Sequence, residues 1–377
     1  MSVIESSAPA IEGVRVPVKV VDTDVHPGVT SPKVLLEYMA EPWRSREMKR
    51  KAYGGSQSNM IYPLGGANGL RLDATPPAGG APGTDPAFAR KQLLDDNEVD
   101  FGILIPLVAR PRANPEHEAA GCAAVNDWLA DVWLGEHNSD GRWRGTLSIC
   151  MSDTSLAVAE IERWAGHPYF VQVLARPTTP VPLGSAQFHG IYEAAQRNGM
   201  VIGFHPLRAP GMGLLTPVGF PAYYVETHPA LALYQAAHIA SMIFEGVFEK
   251  FPQLRVAAIE GGMAWFAPFI WRLDRQWRAL GSEVPWVKRA PSEYFFEHVK
   301  LTTQPWEEPP HADQLKPYLD WLDVDRSLMF ATDYPHHDAD DPKWVRRHLP
   351  ESGRERIMSQ NAIEFYDLPS TRLVEPV

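Results

Sequence analysis

Carboxylates and imidazoles stand at the ends of four apolar runs of this sequence. They are Asp24 and His26 in VDTDVHP, His205 in MVIGFHP, Glu260 in LRVAAIE and Asp333 in SLMFATD. Asp24 and His26 are two residues apart, so on an extended chain both side chains point to one face. Two carboxylates and two imidazoles that converge make a good site for a divalent metal. The pattern predicts a metal site formed by Asp24, His26, His205 and Asp333, in which Asp333 either ligates the metal or orients its bound water.

Each of these residues also has an ordinary structural explanation. A single aspartate at a strand end is most often a helix N-cap or a hydrogen-bond acceptor in a loop. A single histidine is most often a packed side chain whose hydrogen bonds are satisfied. The Asp-x-His pair alone is a weak signal. The occurrence of such residues at several separate strand ends favours the functional interpretation.

Eight short apolar runs are predicted to position these side chains. They are nearly continuous rather than alternating, which is typical of strands buried on both faces of a parallel sheet. The predicted strands span residues 18–24, 101–106, 144–150, 170–175, 200–206, 254–260, 298–304 and 327–333. Predicted helices span residues 115–134, 155–165, 188–198 and 231–251, and Asp153 is placed to cap the second of them.

This alternation predicts a (β/α)8 TIM-like barrel rather than an open sheet, because no glycine-rich nucleotide fingerprint follows the first run. The active site of such a barrel lies where the strands end, which is where the candidate residues stand. We expect one domain over residues 1–377 with its core at about 18–368. Two loop insertions are expected, at about 50–90 and 206–228.

The composition excludes several classes of function. The formal charge of −11 over 377 residues argues against nucleic acid or an anionic membrane surface as partner. Two cysteines do not make a disulfide framework, so a cytoplasmic location is expected. The first residues lack the basic start and apolar core of a signal peptide, and no stretch approaches the ~20 apolar residues that span a bilayer.

Several motifs together resemble the amidohydrolase-related family that includes aminocarboxymuconate-semialdehyde decarboxylase and the resorcylate decarboxylases. They are VDTDVHP, FHP, FEGVFEKFPQLRVAAIEGGMAWFAPFIWRLD, ATDYPHHD and the ending RERIMSQNAIEFYDL. The resemblance implies a distorted barrel with one divalent metal, whose ligands fall on Asp24, His26, His205 and Asp333. Asp24 stands where many relatives have a histidine or a glutamate. The additional carboxylate favours Zn or Mn without deciding between them.

The sequence departs from this family at a position that bears on catalysis. Many of the decarboxylases have a histidine after the sixth strand, and this chain has Glu260. A glutamate serves there as a general acid or base if its pKa is raised. His238, on the preceding helix, is a second candidate, and its alternative explanation is packing against the barrel. Roles for His336 and His337 stay open, as does the choice of a carboxylate-binding cation among Arg44, Arg46 and Arg71.

Three functions are compatible with these residues. The first is non-oxidative decarboxylation of a small aromatic or unsaturated carboxylic acid, with the proton supplied by Glu260 or His238. The second is hydrolysis of an amide, ester or lactone, or hydration of a double bond, by a metal-activated water whose proton goes to Asp333. The third, least favoured, is a barrel that only binds a ligand. We expect the first of these, in a homodimer.

Overall fold

The computed structural model describes residues 14–52, 69–177, 179, 181–206, 219, 224–226 and 228–374. Within these residues, eight parallel strands form one sheet in the order β2-β3-β4-β5-β6-β7-β8-β9. The strands are β1 Val14–Pro17, β2 Val21–Val25, β3 Phe101–Leu104, β4 Trp143–Ser148, β5 Phe170–Ala175, β6 Val201–Phe204, β7 Val256–Ala258, β8 Val299–Thr302, β9 Leu328–Met329 and β10 Thr371–Val374. The sequential order of neighbours and the parallel pairing confirm the predicted (β/α)8 barrel.

The barrel closes where its first strand meets the segment that follows its last. Val25 at the end of β2 forms a parallel bridge with Tyr334. The amide of Asp333 donates a 3.0 Å hydrogen bond to the carbonyl of Asp24, and the amide of Thr23 donates one of 3.1 Å to Phe330. Closure therefore brings Asp24 and Asp333, far apart in the sequence, to the same rim.

All eight predicted barrel strands are present, but most are shorter than predicted, and the last is the shortest. β9 covers only Leu328–Met329, whereas the apolar run extends to residue 333. The backbone after Met329 still bonds to the first barrel strand, since the amide of Thr23 donates to the carbonyl of Phe330, and it changes conformation at Asp333, which has a φ of 64°. A second, two-stranded antiparallel sheet of β1 and β10 was not predicted. It joins the two ends of the described chain.

Helices surround the barrel in the gaps between strands. They are α1 Val34–Tyr38, α2 Trp43–Ala52, α3 Pro86–Ala89, α4 Pro115–Trp128, α5 Thr154–Arg163, α6 His189–Arg197, α7 Leu231–Phe244, α8 Val247–Lys250, α9 Phe266–Leu280, α10 Pro291–His298, α11 Leu315–Trp321, α12 Val324–Ser327, α13 Pro342–His348 and α14 Asn361–Tyr366. The predicted cap of α5 is confirmed, because Asp153 accepts hydrogen bonds from the amides of Ser155 and Leu156. None of the described helices is long and apolar enough to cross a membrane.

The alternation of side chains along each strand separates two apolar cores. Ile202 and Phe204 of β6 point outward and join the core between strands and helices. Val201 of the same strand points inward and packs with Leu174 and with Tyr366 of α14, which closes the lower end of the barrel. Each large apolar side chain buried in this way stabilises the fold by about 1.5–3 kcal/mol. The next inward positions lie at the upper rim, where the chemically competent side chains are found.

Of the two expected insertions, residues 53–68 and most of 207–223 lie outside the described part of the chain. The described remainder of the first insertion returns to the rim of the barrel. Leu70 forms an antiparallel bridge with His336, and the amide of Arg71 donates to the carbonyl of Pro335. The single-domain organisation and the homodimer stay predictions.

Candidate metal centre

The predicted ligand residues lie together at the upper rim of the barrel. One donor atom from each of Asp24, His26, His205 and Asp333 can be chosen so that all lie within 4.8 Å of one another. Nε2 of His26 is 3.2 Å from Oδ1 of Asp24 and 2.7 Å from Oδ1 of Asp333, and Nε2 of His205 is 3.5 Å from the same Asp24 oxygen. All four side chains are buried.

Both imidazoles present Nε2 to the centre, because Nδ1 is already engaged. Nδ1 of His26 lies 3.0 Å from the carbonyl oxygen of Ile105, and Nδ1 of His205 lies 2.7 Å from that of Pro206. A carbonyl oxygen only accepts, so each histidine carries a proton on Nδ1, and in the neutral form of each ring the Nε2 lone pair points inward. Metal-ligating histidines are oriented in the same way by a hydrogen bond from the other ring nitrogen.

Several polar atoms at this centre have no hydrogen-bond partner among the described residues. They are both carboxylate oxygens of Asp24 and Nε2 of His205. An unpaired buried polar atom costs about 1–3 kcal/mol, and more if it is charged. A divalent cation would satisfy all three atoms at once. Two carboxylates and two neutral imidazoles are a suitable donor set for such an ion, so the residues fit one metal.

The electrostatics of the centre show a need for positive charge. Burial lowers the pKa of His26, but the carboxylates of Asp24 and Asp333 outweigh it and raise this pKa to about 10. Burial pushes the pKa of Asp333 up, but the imidazoles of His336 and His26 hold it below its usual range. Without a cation, the two carboxylates therefore draw a proton onto His26. A metal ion supplies the same positive charge.

Glu260 also reaches the centre and links it to a histidine that was not predicted. Its Oε2 is 3.2 Å from Nε2 of His205, and its Oε1 is 2.9 Å from Nε2 of His228. His228 is in turn 3.5 Å from Oδ2 of Asp338. Burial and Asp333 push the pKa of Glu260 up, but the hydrogen bond with His228 and the charges of His205 and His228 outweigh them. The pKa of Glu260 is thus lowered, opposite to the shift that a general acid needs.

The backbone at the two strand ends is unusual. Glu260 and Asp333 have φ values of 56° and 64°, a left-handed conformation that is uncommon outside glycine. Such strain persists only where the surrounding structure compensates for it, and it clusters at active sites. At Asp333 the compensation includes a 3.3 Å hydrogen bond from Nε2 of Gln304, which stands after β8.

His336 joins the centre, whereas its neighbour does not. Nδ1 of His336 is 2.5 Å from Oδ1 of Asp333, and donor atoms of Glu260, Asp333 and His336 form a second group within 4.8 Å. His337 instead lies 3.1 Å from Asp338 and is 42% exposed. The sequence analysis left the roles of His336 and His337 open and did not distinguish between them.

The remaining candidates have partners away from the centre. Nε2 of His238 lies 2.6 Å from the carbonyl of Pro177, and its Nδ1 accepts from the amide of Leu183 at 3.1 Å. Both ring nitrogens of His238 are thus hydrogen bonded to main-chain groups. The catalytic role of His238 stays a prediction. The three candidate arginines are engaged by neighbours: Arg44 by Glu41, Arg46 by the ring of Trp43 and Arg71 by Asp73.

A parallel (β/α)8 barrel with buried carboxylates and imidazoles at its upper rim is the architecture of metal-dependent barrel enzymes. Residues 21–368 match the family described as amidohydrolase, and the chain belongs to this family. The chain is 26% identical over 300 residues to a gamma-resorcylate decarboxylase of Polaromonas sp. JS666, which covers 74% of this chain and 86% of the relative.

Two solved structures share the fold. One is a dihydroxybenzoic acid decarboxylase from Polaromonas sp. JS666 with bound manganese and 2-nitroresorcinol, at a TM-score of 0.63, 20% identity, and coverage of 93% of this chain and 97% of the other. The other is a 5-carboxyvanillate decarboxylase from Novosphingobium aromaticivorans with bound manganese, at a TM-score of 0.68, 17% identity and the same coverages, 93% and 97%.

Proposed function

We propose that this protein is a metal-dependent decarboxylase that releases CO₂, without redox chemistry, from a small aromatic carboxylic acid. The observation that carries the proposal is the buried centre, in which Asp24 and His205 point unpartnered polar atoms at a common point. The family, and the decarboxylases to which the chain is similar, support this reaction over the others of which a metal barrel is capable.

Asp24, His26, His205 and Asp333 would hold the metal. When bound, the ion would supply Lewis acidity and positive charge next to the carboxylate of the substrate. Manganese is the metal of the two similar structures, and the mixed carboxylate and imidazole donors suit Mn or Zn. We propose Mn first, with Zn as the alternative.

The reaction needs one proton for each CO₂ that leaves. The bond between the ring carbon and the carboxylate breaks, its electron pair remains on the ring carbon, and a proton then bonds to that carbon. We propose that the pair formed by Glu260 and His228 delivers this proton, since their hydrogen bond lies at the edge of the centre. His238 is less suited, because both of its ring nitrogens are bonded to main chain.

Hydrolysis or hydration is the alternative that one observation favours. Two carboxylates, Glu260 and Asp333, face the centre, and the pKa of each is lowered. A carboxylate that stays ionised is a base, and it suits removal of a proton from water better than donation of one to carbon. A panel of lactones and amides measured beside the acids separates the two reactions.

The test combines metal analysis with CO₂ release. We expect about one equivalent of metal in the protein reconstituted with Mn²⁺, and CO₂ release from at least one member of a panel of hydroxybenzoates and carboxyvanillate. Asp333→Ala should lose both the metal and the activity. Asp320→Ala, at a 56% exposed site on α11, should lose neither. A loaded enzyme that releases no CO₂ but opens a lactone or an amide would overturn the decarboxylase proposal.

A further inference from the structure

The backbone between β7 and α9 makes a tight turn that carries Glu260. Glu260 and Gly262 have φ values of 56° and 65°, both in the left-handed region. A glutamate in this conformation is costly, so contacts from outside the turn must maintain it. The turn directs the carboxylate of Glu260 towards two imidazoles, that of His205 at 3.2 Å and that of His228 at 2.9 Å. The contacts that hold the turn therefore decide where this carboxylate stands.

Two hydrogen bonds restrain the first half of the turn. The amide of Glu260 donates to Oγ1 of Thr302, the last residue of β8, at 3.2 Å. The carbonyl of Ile259 accepts a hydrogen bond of 2.6 Å from Nε2 of Gln235 on α7. Both bonds fix the backbone on the N-terminal side of the Glu260 Cα. The backbone that follows Glu260 depends on other contacts.

Glu307 supplies the restraint on the second half of the turn. The amide of Met263 lies 2.9 Å from Oε2 and 3.1 Å from Oε1 of Glu307, and the amide of Ala264 donates to Oε1 at 3.2 Å. The hydroxyl of Tyr318 on α11 donates to Oε2 at 3.3 Å and holds the carboxylate from its other side. A Cβ at Gly262 would collide with Oε1 of Glu307. The carboxylate thus packs against the turn as closely as a glycine permits.

Glu307 ends a short segment, residues 304–307, that also reaches the metal ligands. Nε2 of Gln304 donates a 3.3 Å hydrogen bond to Oδ2 of Asp333. The amide of Trp306 donates one of 3.2 Å to Asp340, in the loop that follows Asp333. The segment therefore contacts both unusual strand ends, the turn of Glu260 on one side and Asp333 on the other. It sets the spacing between the carboxylate of Glu260 and the candidate ligands.

We propose that Glu307 is a positioning residue for the decarboxylation, which holds the turn after β7 so that Glu260 stays bonded to His228 beside the metal ligands. This inference rests on the proposed function, in which Glu260 and His228 deliver the proton. The hydrogen bonds of Glu307 go to the main chain of the turn, so Glu307 acts through Glu260. A misplacement of about 1 Å at a reacting group costs on the order of 10²-fold in rate.

A purely structural explanation makes a different prediction. The amides of Met263 and Ala264 lie just before α9, which begins at Phe266, so the carboxylate of Glu307 is also placed to cap this helix. Removal of a cap that only stabilises α9 lowers Tm and leaves kcat of the folded enzyme unchanged. Removal of a positioning residue lowers kcat and perturbs the pair of Glu260 and His228.

Glu307→Gln separates these explanations, because it keeps the size of the side chain and removes its charge and one acceptor. On an acid that the wild type decarboxylates, we expect kcat to fall about 10- to 100-fold. KM should change less than about twofold, and one equivalent of Mn should be retained. Glu308→Gln is the matched control, since Glu308 is exposed, and it should change kcat less than about twofold. If Glu307→Gln does not fold, Glu307→Asp, which keeps the charge but shortens the reach, should show the same pattern with a smaller fall.

A double variant shows whether Glu307 acts through Glu260. Added to Glu260→Gln, Glu307→Gln should lower kcat less than about twofold further, because the carboxylate that it positions is already gone. Nitrogen NMR of the His228 ring in the protein loaded with diamagnetic Zn²⁺ reads the same coupling without turnover. The Nε2 signal should move in Glu307→Gln. It should stay at the position of Glu260→Gln in the double variant.

A lower Tm with unchanged kcat, an equal fall in kcat with and without Glu260, or an unmoved signal of His228 would overturn the assignment. Failure of the decarboxylase proposal would appear as a loaded wild-type protein that releases no CO₂ from any acid, and the NMR comparison then still decides for Glu307. Failure of the Glu307 proposal would appear as an active enzyme in which Glu307→Gln and Glu308→Gln behave alike.

Discussion

At the scale of single residues, the main departure from the expected site is the exchange of a strand-end histidine for Glu260. The structure shows an imidazole close to it all the same: His228 comes from the insertion after β6 and meets Glu260 at 2.9 Å. A carboxylate on the strand and a histidine from the loop thus occupy the space near the metal ligands. The two residues together can hold a proton that a lone ionised glutamate does not hold.

Replacing His228 tests whether this histidine delivers the proton that replaces CO₂. We expect His228→Gln to lower kcat by about 10²- to 10⁴-fold, the usual contribution of a general acid, because the proton that replaces CO₂ is no longer delivered. The metal content should stay at about one equivalent, since His228 does not belong to the candidate ligand set. Steady-state kinetics and metal analysis on the same sample measure both.

The matched control is His337→Gln. His337 is close in sequence to the centre but is 42% exposed and paired with Asp338, so its loss should change kcat less than about threefold. If the two variants are equally active, the proton comes from another group and the assignment of His228 is wrong.

At the scale of elements, strand β8 carries a partly buried lysine, Lys300, whose positive charge is unfavourable in the folded protein. Burial and the nearby Arg356 and Arg326 lower the pKa of Lys300 to about 8. Its ammonium donates to the carbonyl of Arg326 and lies 5.7 Å from the ring of Phe365. The unfolded chain binds this proton up to a pKa of 10.5. Lys300 therefore destabilises the native state below pH 8, and this cost disappears as the pH rises from 8 towards 10.5.

Lys300→Met should consequently stabilise the protein at neutral pH. We expect a gain of about 1–2 kcal/mol in the free energy of unfolding at pH 7, because the cost of a partly buried ammonium is removed. The gain should shrink above pH 8, where the wild-type amine is already losing its proton. Urea unfolding at several pH values measures it. Lys316→Met, at a 75% exposed site, should change stability by less than about 0.5 kcal/mol at every pH.

At the scale of the whole molecule, the candidate ligands join elements that the chain separates widely. Asp24 lies in the first barrel strand, His26 follows it, and Asp333 follows the last strand, with the hydrogen bond between His26 and Asp333 spanning 307 residues. A cation bound there would link the first and last barrel strands, at the point where the barrel closes. Its binding energy should therefore appear in the stability of the entire barrel.

The prediction is a metal-dependent stability. Mn²⁺ at about 100 times its Kd should raise the free energy of unfolding by about 2.7 kcal/mol, if the unfolded chain does not bind it. Asp24→Asn should abolish this gain, because it weakens one of the two carboxylate ligands. Thermal unfolding with Mn²⁺ and with a chelator measures the difference. A rise in Tm of equal size in the wild type and in Asp24→Asn would show that the ion acts elsewhere.

The barrel, and the grouping of the predicted ligand residues at its rim, could be predicted from the sequence for one physical reason. Strands buried on both faces are continuous apolar runs, so a carboxylate such as Asp333 at the end of a run is conspicuous. His228 could not be predicted in this way, because it comes from an insertion whose sequence has no helix or strand period, and only the structure shows its contact with Glu260. The β1 and β10 pair was missed because short exposed strands carry little apolar signal.

The seam between the first and last barrel strands also has a consequence for how the protein is made. A ribosome synthesises Asp24 and His26 long before Asp333, since 307 residues separate His26 from Asp333. A nascent chain that stops before residue 333 has its early carboxylate and imidazoles but lacks the second carboxylate that completes the set. The complete ligand set therefore exists only in a chain that has been made through to its last barrel strand.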